Sequence, residues 1–247
     1  MKKKNYLFLT IRSLIKLFYQ KYELMGEKIP EEPVILVGNH AQIHGPLGCE
    51  FYFPSRTFSW CAGQMMHLRE VPGYAFQDFW SQKPRWTHWF YRILSYLIAP
   101  LSVLLFNHAR TVPVYRDKRI LKTFKESLSL LQEGKSLVIF PEEDQKKNQI
   151  IYEFQDKFID LAGMYHKKTG KELSFVPFYI APDLKKIVIG TPIPYSSRNS
   201  KEEERERMVE KLMSEITEMA EKLPLHRVVP YRNIPKKYYP MNRERNQ

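Results

Sequence analysis

Asn39-His40 directly follows the apolar run Val34-Ile35-Leu36-Val37-Gly38, and His44, Gly45 and Pro46 come just after. A histidine at the end of a buried strand titrates near neutral pH and is suited to general-base chemistry. Two more polar clusters follow short apolar runs: Arg116-Asp117 after Thr111–Tyr115, and Glu142-Glu143-Asp144 after Leu137–Phe140. In α/β sheets ligands collect at the carboxyl ends of strands. A histidine, an arginine and a carboxylate converging from separate strands would make a site for a group with an anionic handle. Taken singly, each cluster also has a plainer meaning. His40 would cap a turn, Arg116 would pair on the surface with Asp117 or Glu143, and the three acids would form a solvated loop.

Other chemistries fit the same residues less well. His40 and His44 stand four apart, but a helical zinc pair of the metalloprotease type needs Glu directly after the first histidine, and Ala41 is there. Pro46 suits the first turn of a helix, so the two histidines precede the helix instead of sharing one of its faces. Cys49 sits in an apolar stretch, where a lone cysteine is ordinarily core. Cys49 and Cys61 are the only cysteines and make no disulfide framework, which fits a reducing cytoplasmic compartment.

The elements that must carry these residues alternate along the chain. Short apolar, β-branched runs at 33–38, 57–62, 111–115, 137–140, 175–180 and 187–190 read as strands. Amphipathic stretches at 121–131, 155–168 and 201–223 read as helices, the last with Met208, Leu212, Ile216, Met219 and Leu223 on one stripe and Pro224 as its stop. This alternation predicts an α/β fold: a single domain with a twisted, mostly parallel sheet and helices on both faces.

Two segments stand apart. Residues 5–20 predict a basic amphipathic helix with Leu7, Ile11, Leu14, Ile15 and Phe18 on one face. It would lie in a membrane interface or dock on the protein's own core, and Lys2, Lys3 and Lys4 favour the membrane. Residues 86–106 are the most apolar stretch. Only 14 uncharged residues follow Arg92, and Pro100 is expected to interrupt them, so a buried helix or a shallow insertion both fit.

The net charge of +12 is concentrated at the ends: residues 1–22 carry +6 and residues 226–247 carry +5, leaving +1 on the 203 residues between. A groove that tracks nucleic acid would spread charge over the folded body. Charged ends fit an anionic membrane surface, and no nucleic-acid partner is expected.

Taken in order, Asn39-His40, Pro113-Val114-Tyr115-Arg116, Phe140-Pro141-Glu142 and Val176-Pro177 resemble the motif blocks of the glycerolphosphate and lysophospholipid acyltransferase family, across about residues 30–195. The resemblance implies an enzyme that moves a fatty acyl group from a thioester, on coenzyme A or acyl carrier protein, to a hydroxyl of a glycerol-phosphate, lysophospholipid or related acceptor. His40 would be the general base, Arg116 would hold the acceptor's anionic group, and Glu142 would position acceptor hydroxyls or Arg116. Asn39 and Pro141, members of the same blocks, would line the acceptor site. Neither metal nor cofactor is implied. The protein would sit peripherally on the cytoplasmic face of the membrane. It would comprise a membrane-surface helix at 1–25, an acyltransferase-like domain at 26–225 and a basic tail at 226–247.

Two positions depart from the family pattern. The family's aspartate, five residues after the histidine, is Gly45 here, and its glycine after Phe-Pro-Glu is Glu143. A carboxylate behind a catalytic histidine fixes the tautomer; in the Ser-His-Asp triad its conversion to an amide costs about 10⁴ in turnover. Glu50, one turn beyond Pro46, is the candidate replacement. The alternative is a catalytically silent relative that binds lipid or acts as a membrane-surface scaffold.

Overall fold

The computed structural model describes residues 5–243; Lys2, Lys3, Lys4, Glu244 and Arg245 lie outside the described residues. In chain order the strands are β1 (Glu23–Gly26), β2 (Val34–Gly38), β3 (Thr57–Ala62), β4 (Thr111–Val114), β5 (Ser136–Ile139), β6 (Glu142–Lys146), β7 (Tyr152–Phe154), β8 (Ser174–Ala181), β9 (Lys186–Ile189) and β10 (Ile193–Pro194). The helices are α1 (Tyr6–Phe18), α2 (His44–Tyr52), α3 (Val71–Ala75), α4 (His88–His108), α5 (Ile120–Gln132), α6 (Asp160–Thr169) and α7 (Lys201–Lys222). Residues gather into two compact units: Met1–Tyr19 with Trp60–Lys125, and Gln20–Ser59 with Glu126–Gln247.

The second unit is built on β2. All five of its residues, Val-Ile-Leu-Val-Gly, are buried, as a strand covered on both faces requires. It runs parallel to β5 on one side, with Ile35 opposite Leu137, and parallel to β8 on the other, with Ile35 opposite Phe175. β3 runs parallel to β5, and β1 to β9. Only β9 and β10 run antiparallel to β8 among these pairs. The strand order in this unit is β1-β9-β8-β2-β5-β3, with β10 on β8. This is the mostly parallel α/β sheet that the alternating apolar runs predict. Helix α7 opens on a capping box formed by Ser200 and Glu203 and buries Met208, Leu212, Met213, Ile216 and Ala220. Its charged face stays in water, so packing of the apolar stripe supplies most of its stability.

The acids after Phe140 are not a loop. Glu142–Lys146 is β6, paired antiparallel with β7 in a separate two-stranded sheet, with a register irregularity between Glu142 and Lys146. Glu142 is buried and the next four residues are exposed. A run of charges carries no apolar alternation to betray a strand, which is why the sequence predicts a loop there.

In the first unit, Asn5 caps α1 by accepting the Phe8 N–H at 3.1 Å. Phe8 is the buried residue of this helix, and its ring stacks on His108 at 5.9 Å. Much of the stripe predicted from sequence faces outward: Leu7, Leu14 and Phe18 are exposed. Helix α4 is a single 21-residue helix that runs through Pro100, so the expected interruption does not occur. Proline removes one ladder hydrogen bond and crowds the carbonyl four residues back. Here the small buried residues Ser95, Ala99 and Ser102 dock on both sides of Pro100, beside Met65, Val71 and Ala75, and Ser102 donates to the Met65 carbonyl at 3.2 Å. Arg85–His108 is long and apolar enough to cross a membrane by length and composition, and only 17% of its most apolar window is buried.

Candidate functional site

The chain leaves β2 through Asn39, whose side chain continues the sheet where the backbone turns away. Its Nδ2 donates to the Ile180 carbonyl at 3.1 Å and its Oδ1 accepts the Ile180 N–H at 2.8 Å. Both amide atoms are thereby engaged, and Asn39 is buried. Its side chain bonds the end of β2 to β8. Pro141 is buried as well, its carbonyl accepting the Gln155 N–H at 2.9 Å. Both residues anchor the loops of the site and neither lines it.

His40 starts a tight reversal. Ala41 and Gln42 take left-handed backbone conformations, with φ of 44° and 55°. The His44 N–H reaches the Ala41 carbonyl at 3.1 Å, and the Gly45 N–H reaches the His40 carbonyl at 3.0 Å. Two successive non-glycine residues in this region cost about 1–3 kcal/mol each, so the surroundings must hold them. Glu142 supplies the hold. Its Oε2 accepts the His40 backbone N–H at 2.6 Å and its Oε1 accepts the Tyr152 N–H at 3.1 Å. The Asn-His and Phe-Pro-Glu blocks are thus joined through one buried carboxylate. Glu142 touches the backbone of the histidine; Arg116 belongs to the other unit.

The His40 ring lies between two aromatic edges, Phe140 at 5.1 Å and Tyr231 at 5.8 Å between centroids. Its Nδ1 is enclosed and makes no hydrogen bond. The predicted support from Glu50 is therefore not formed: Glu50 lies on α2 and no carboxylate reaches Nδ1. Burial drives the His40 pKa down to about 4, because no nearby charge stabilises the imidazolium. Burial also raises the Glu142 carboxyl to about 7, against the two amides that favour its ionised form. His44 points elsewhere, its Nδ1 against the Tyr22 hydroxyl at 3.2 Å. Among the described residues no three His, Cys, Asp or Glu side chains converge on a point where a metal would bind.

In the first unit, Arg116 is exposed and makes no ion pair among the described residues. Its neighbours are tied. The Tyr115 hydroxyl meets His67 Nε2 at 2.8 Å, and the Arg119 guanidinium lies 4.0 Å from the Tyr115 ring centroid. Arg119 takes Asp117 at 2.8 Å and Glu70 at 3.1 Å. The surface pair that Asp117 would make with Arg116 is made with Arg119 instead, leaving Arg116 available for an anion. Gly63 lets this cluster close, since a Cβ there would lie 2.3 Å from the Tyr115 ring.

Tyr231, Tyr152 and Gln42 belong to the surroundings of His40 without having been marked by any motif. The aromatic-rich composition of the tail was the only signal for Tyr231, because its partner lies nearly 200 positions away in sequence.

No family model matches the chain, and no curated protein matches it. Among solved structures it is similar to the 1-acyl-sn-glycerophosphate (LPA) acyltransferase PlsC from Thermotoga maritima, with a TM-score of 0.45 and 16% identity over 87% of this chain and 80% of that one.

Proposed function

We propose that this protein is a membrane-associated acyltransferase that moves an acyl group from a thioester donor, acyl-CoA or acyl-carrier protein, to a hydroxyl of a glycerol-phosphate, lysophospholipid or related acceptor. The observation that carries this reading is the junction of two motif blocks at one carboxylate: Glu142 holds the backbone of His40 at the carboxyl end of the central strand. Nε2 of His40 takes the proton of the acceptor hydroxyl as its oxygen attacks the thioester carbonyl. The tetrahedral adduct then expels the thiolate, which recovers the proton from the imidazolium, giving an ester and a free thiol. Arg116, exposed and without an ion pair among the described residues, is suited to the acceptor's anionic group.

Peripheral attachment at the cytoplasmic face is supported by apolar side chains that face outward on two helices of the first unit. They include Leu14, Leu17 and Phe18 on α1 and Trp89, Tyr96 and Leu97 on α4. An exposed apolar face of this extent calls for a partner, and tryptophan and tyrosine favour the headgroup level of a bilayer.

The test is thiol release from acyl-CoA or acyl-carrier protein in the presence of lysophospholipid vesicles. His40→Ala is expected to reduce release by at least about 10³-fold while the fold is kept. Equal turnover in the variant removes His40 as the base.

A second reading, a catalytically silent relative that binds lipid, is favoured by one observation: the enclosed Nδ1 has no hydrogen-bond partner. Without one, the proton settles on Nε2, the nitrogen a general base needs free. Vesicle binding without thiol release from either donor would establish this second reading.

A further inference from the structure

Residues 226–243 form a closed loop in the second unit, and its two ends are zipped together. The His226 N–H donates to Asn242 Oδ1 at 3.0 Å. The Asn242 N–H donates to the His226 carbonyl at 3.0 Å, and the Val228 N–H to the Pro240 carbonyl at 2.8 Å. His226, Val228, Val229 and Asn242 are buried, and His226 Nε2 meets the Tyr179 hydroxyl at 3.0 Å.

The span between these ends is held by side-chain contacts, with the Tyr231 ring 5.8 Å from that of Tyr152 between centroids. The Tyr231 ring stands edge-on against His40. Gln42 Nε2 donates to the Arg232 carbonyl at 3.2 Å and contacts the Tyr239 hydroxyl at 3.0 Å. One ion pair latches the rim, Arg232 to Asp144 at 3.4 Å, while Arg227, within the zipped base, pairs with Asp183 at 2.8 Å. Both arginine side chains are more than half exposed, and exposed pairs of this kind hold weakly. The loop carries Arg227, Arg232, Lys236, Lys237 and Arg243 and no acid. At its tip Lys236, Lys237 and Tyr238 are exposed, with the Lys237 ammonium 4.9 Å from the Tyr238 ring centroid.

We propose that Tyr231–Tyr239 is a lid over His40 and that its basic, aromatic tip docks on an anionic lipid surface, which draws the lid off the histidine. Lipid phosphates compete with Asp144 for Arg232, and each cation near an anionic leaflet is attracted on its own account. Tyr238 is suited to the headgroup layer into which the lysines would lead it. The zipped base lets the span swing without unfolding the core behind it. The inference takes from the proposed function only that His40 is the working end of the site, and its test needs no turnover.

Carbethoxylation of His40 by diethyl pyrocarbonate, followed by peptide mass spectrometry, reads the lid directly. Vesicles of phosphatidylcholine with phosphatidylglycerol are expected to raise the His40 rate about tenfold, and vesicles of phosphatidylcholine alone to leave it unchanged. Lys236→Glu with Lys237→Glu should abolish the rise. Asp144→Asn should raise the rate with no lipid present. His166, on α6, should react at a constant rate throughout. An equal rate in all conditions, an equal rise with both kinds of vesicle, or a parallel rise at His166 would overturn the proposal. A rise with apo acyl carrier protein and none with anionic vesicles would overturn it too, assigning the tip to an acidic protein.

Discussion

Glu142→Gln is expected to lower the unfolding free energy by about 1–3 kcal/mol near pH 5, to lose much of that deficit by about pH 8, and to reduce turnover about 100-fold at every pH. The two carboxyl oxygens accept two buried backbone N–H groups, from His40 and Tyr152, and in the protonated form that prevails near pH 5 both oxygens still accept, with the O–H turned away. Glutamine presents an oxygen to one and an NH₂ to the other, so one amide is orphaned in the core. The pH dependence follows from the raised carboxyl. Its folded pKa of about 7 lies above the ordinary 4.5, so its contribution to stability is fully present below about 4.5 and is lost as pH rises through 7. That loss amounts to about 3 kcal/mol. Glutamine does not titrate, so the gap between variant and wild type closes across the same window. His40 has the opposite sign. Its folded pKa is lowered to about 4, so its contribution is present above about 6.5 and is lost as pH falls through 4. In the wild type the two windows nearly cancel. The variant should show the rise in stability with pH that His40, His44 and His226 give, all three lowered by burial, without the opposing fall from Glu142. Denaturant unfolding at a series of pH values measures both; a deficit that stays constant with pH would show that Glu142 does not titrate in this window. The turnover loss has a separate cause. With its backbone untied, the strained turn at Ala41 and Gln42 no longer holds the histidine in place.

The framework of this site was legible because it rests on burial. Val34–Gly38 is a strand for the same reason that it is apolar, and His40 lies at its end because the chain must turn into water there. Helix α7 announced itself by its stripe and its stop at Pro224. What was hidden depends on contacts between residues distant in sequence, or on polar segments whose role is to hydrogen-bond backbone. β6 is charged at every position but Gln145, yet its first residue is the buried clamp of the site. Asn39 looked like a ligand and proves to be the last bond of the sheet. Residues 226–243 looked like a tail, since nothing in a basic, aromatic composition says that Tyr231 meets a histidine on β2's far end. Pro100 misled in the other direction, because three small residues dock on a neighbouring core and hold a helix that proline alone would break. The functional expectation was carried by the order of four short blocks, two of which meet at Glu142.

Gly45→Asp, which would place a carboxylate where the acyltransferase pattern that the sequence resembles has one, is expected to destabilise the protein by about 3 kcal/mol or more and to lower activity instead of raising it. A Cβ at position 45 would stand 2.2 Å from the His40 carbonyl oxygen and 3.0 Å from the Phe140 ring. The first neighbour is backbone of the turn itself, and it already accepts the Gly45 N–H, so it cannot move away without breaking the bond that closes the turn. The second is the ring that flanks His40. The φ of Gly45 is ordinary; what requires glycine is the close approach. Gly45→Ala therefore separates the two possible causes of a defect, because it adds the Cβ without the charge. Both variants should lose stability to a similar degree, measured as a shift in thermal midpoint, and both should lose thiol release. A Gly45→Asp variant that kept its thermal midpoint and gained turnover would show that the turn opens readily and that the site is a dyad lacking only its acid. On the geometry of His40–Gly45 the outcome is the reverse: the turn closes around glycine, and any carboxylate that supports this histidine has to come from another part of the chain or from the substrate.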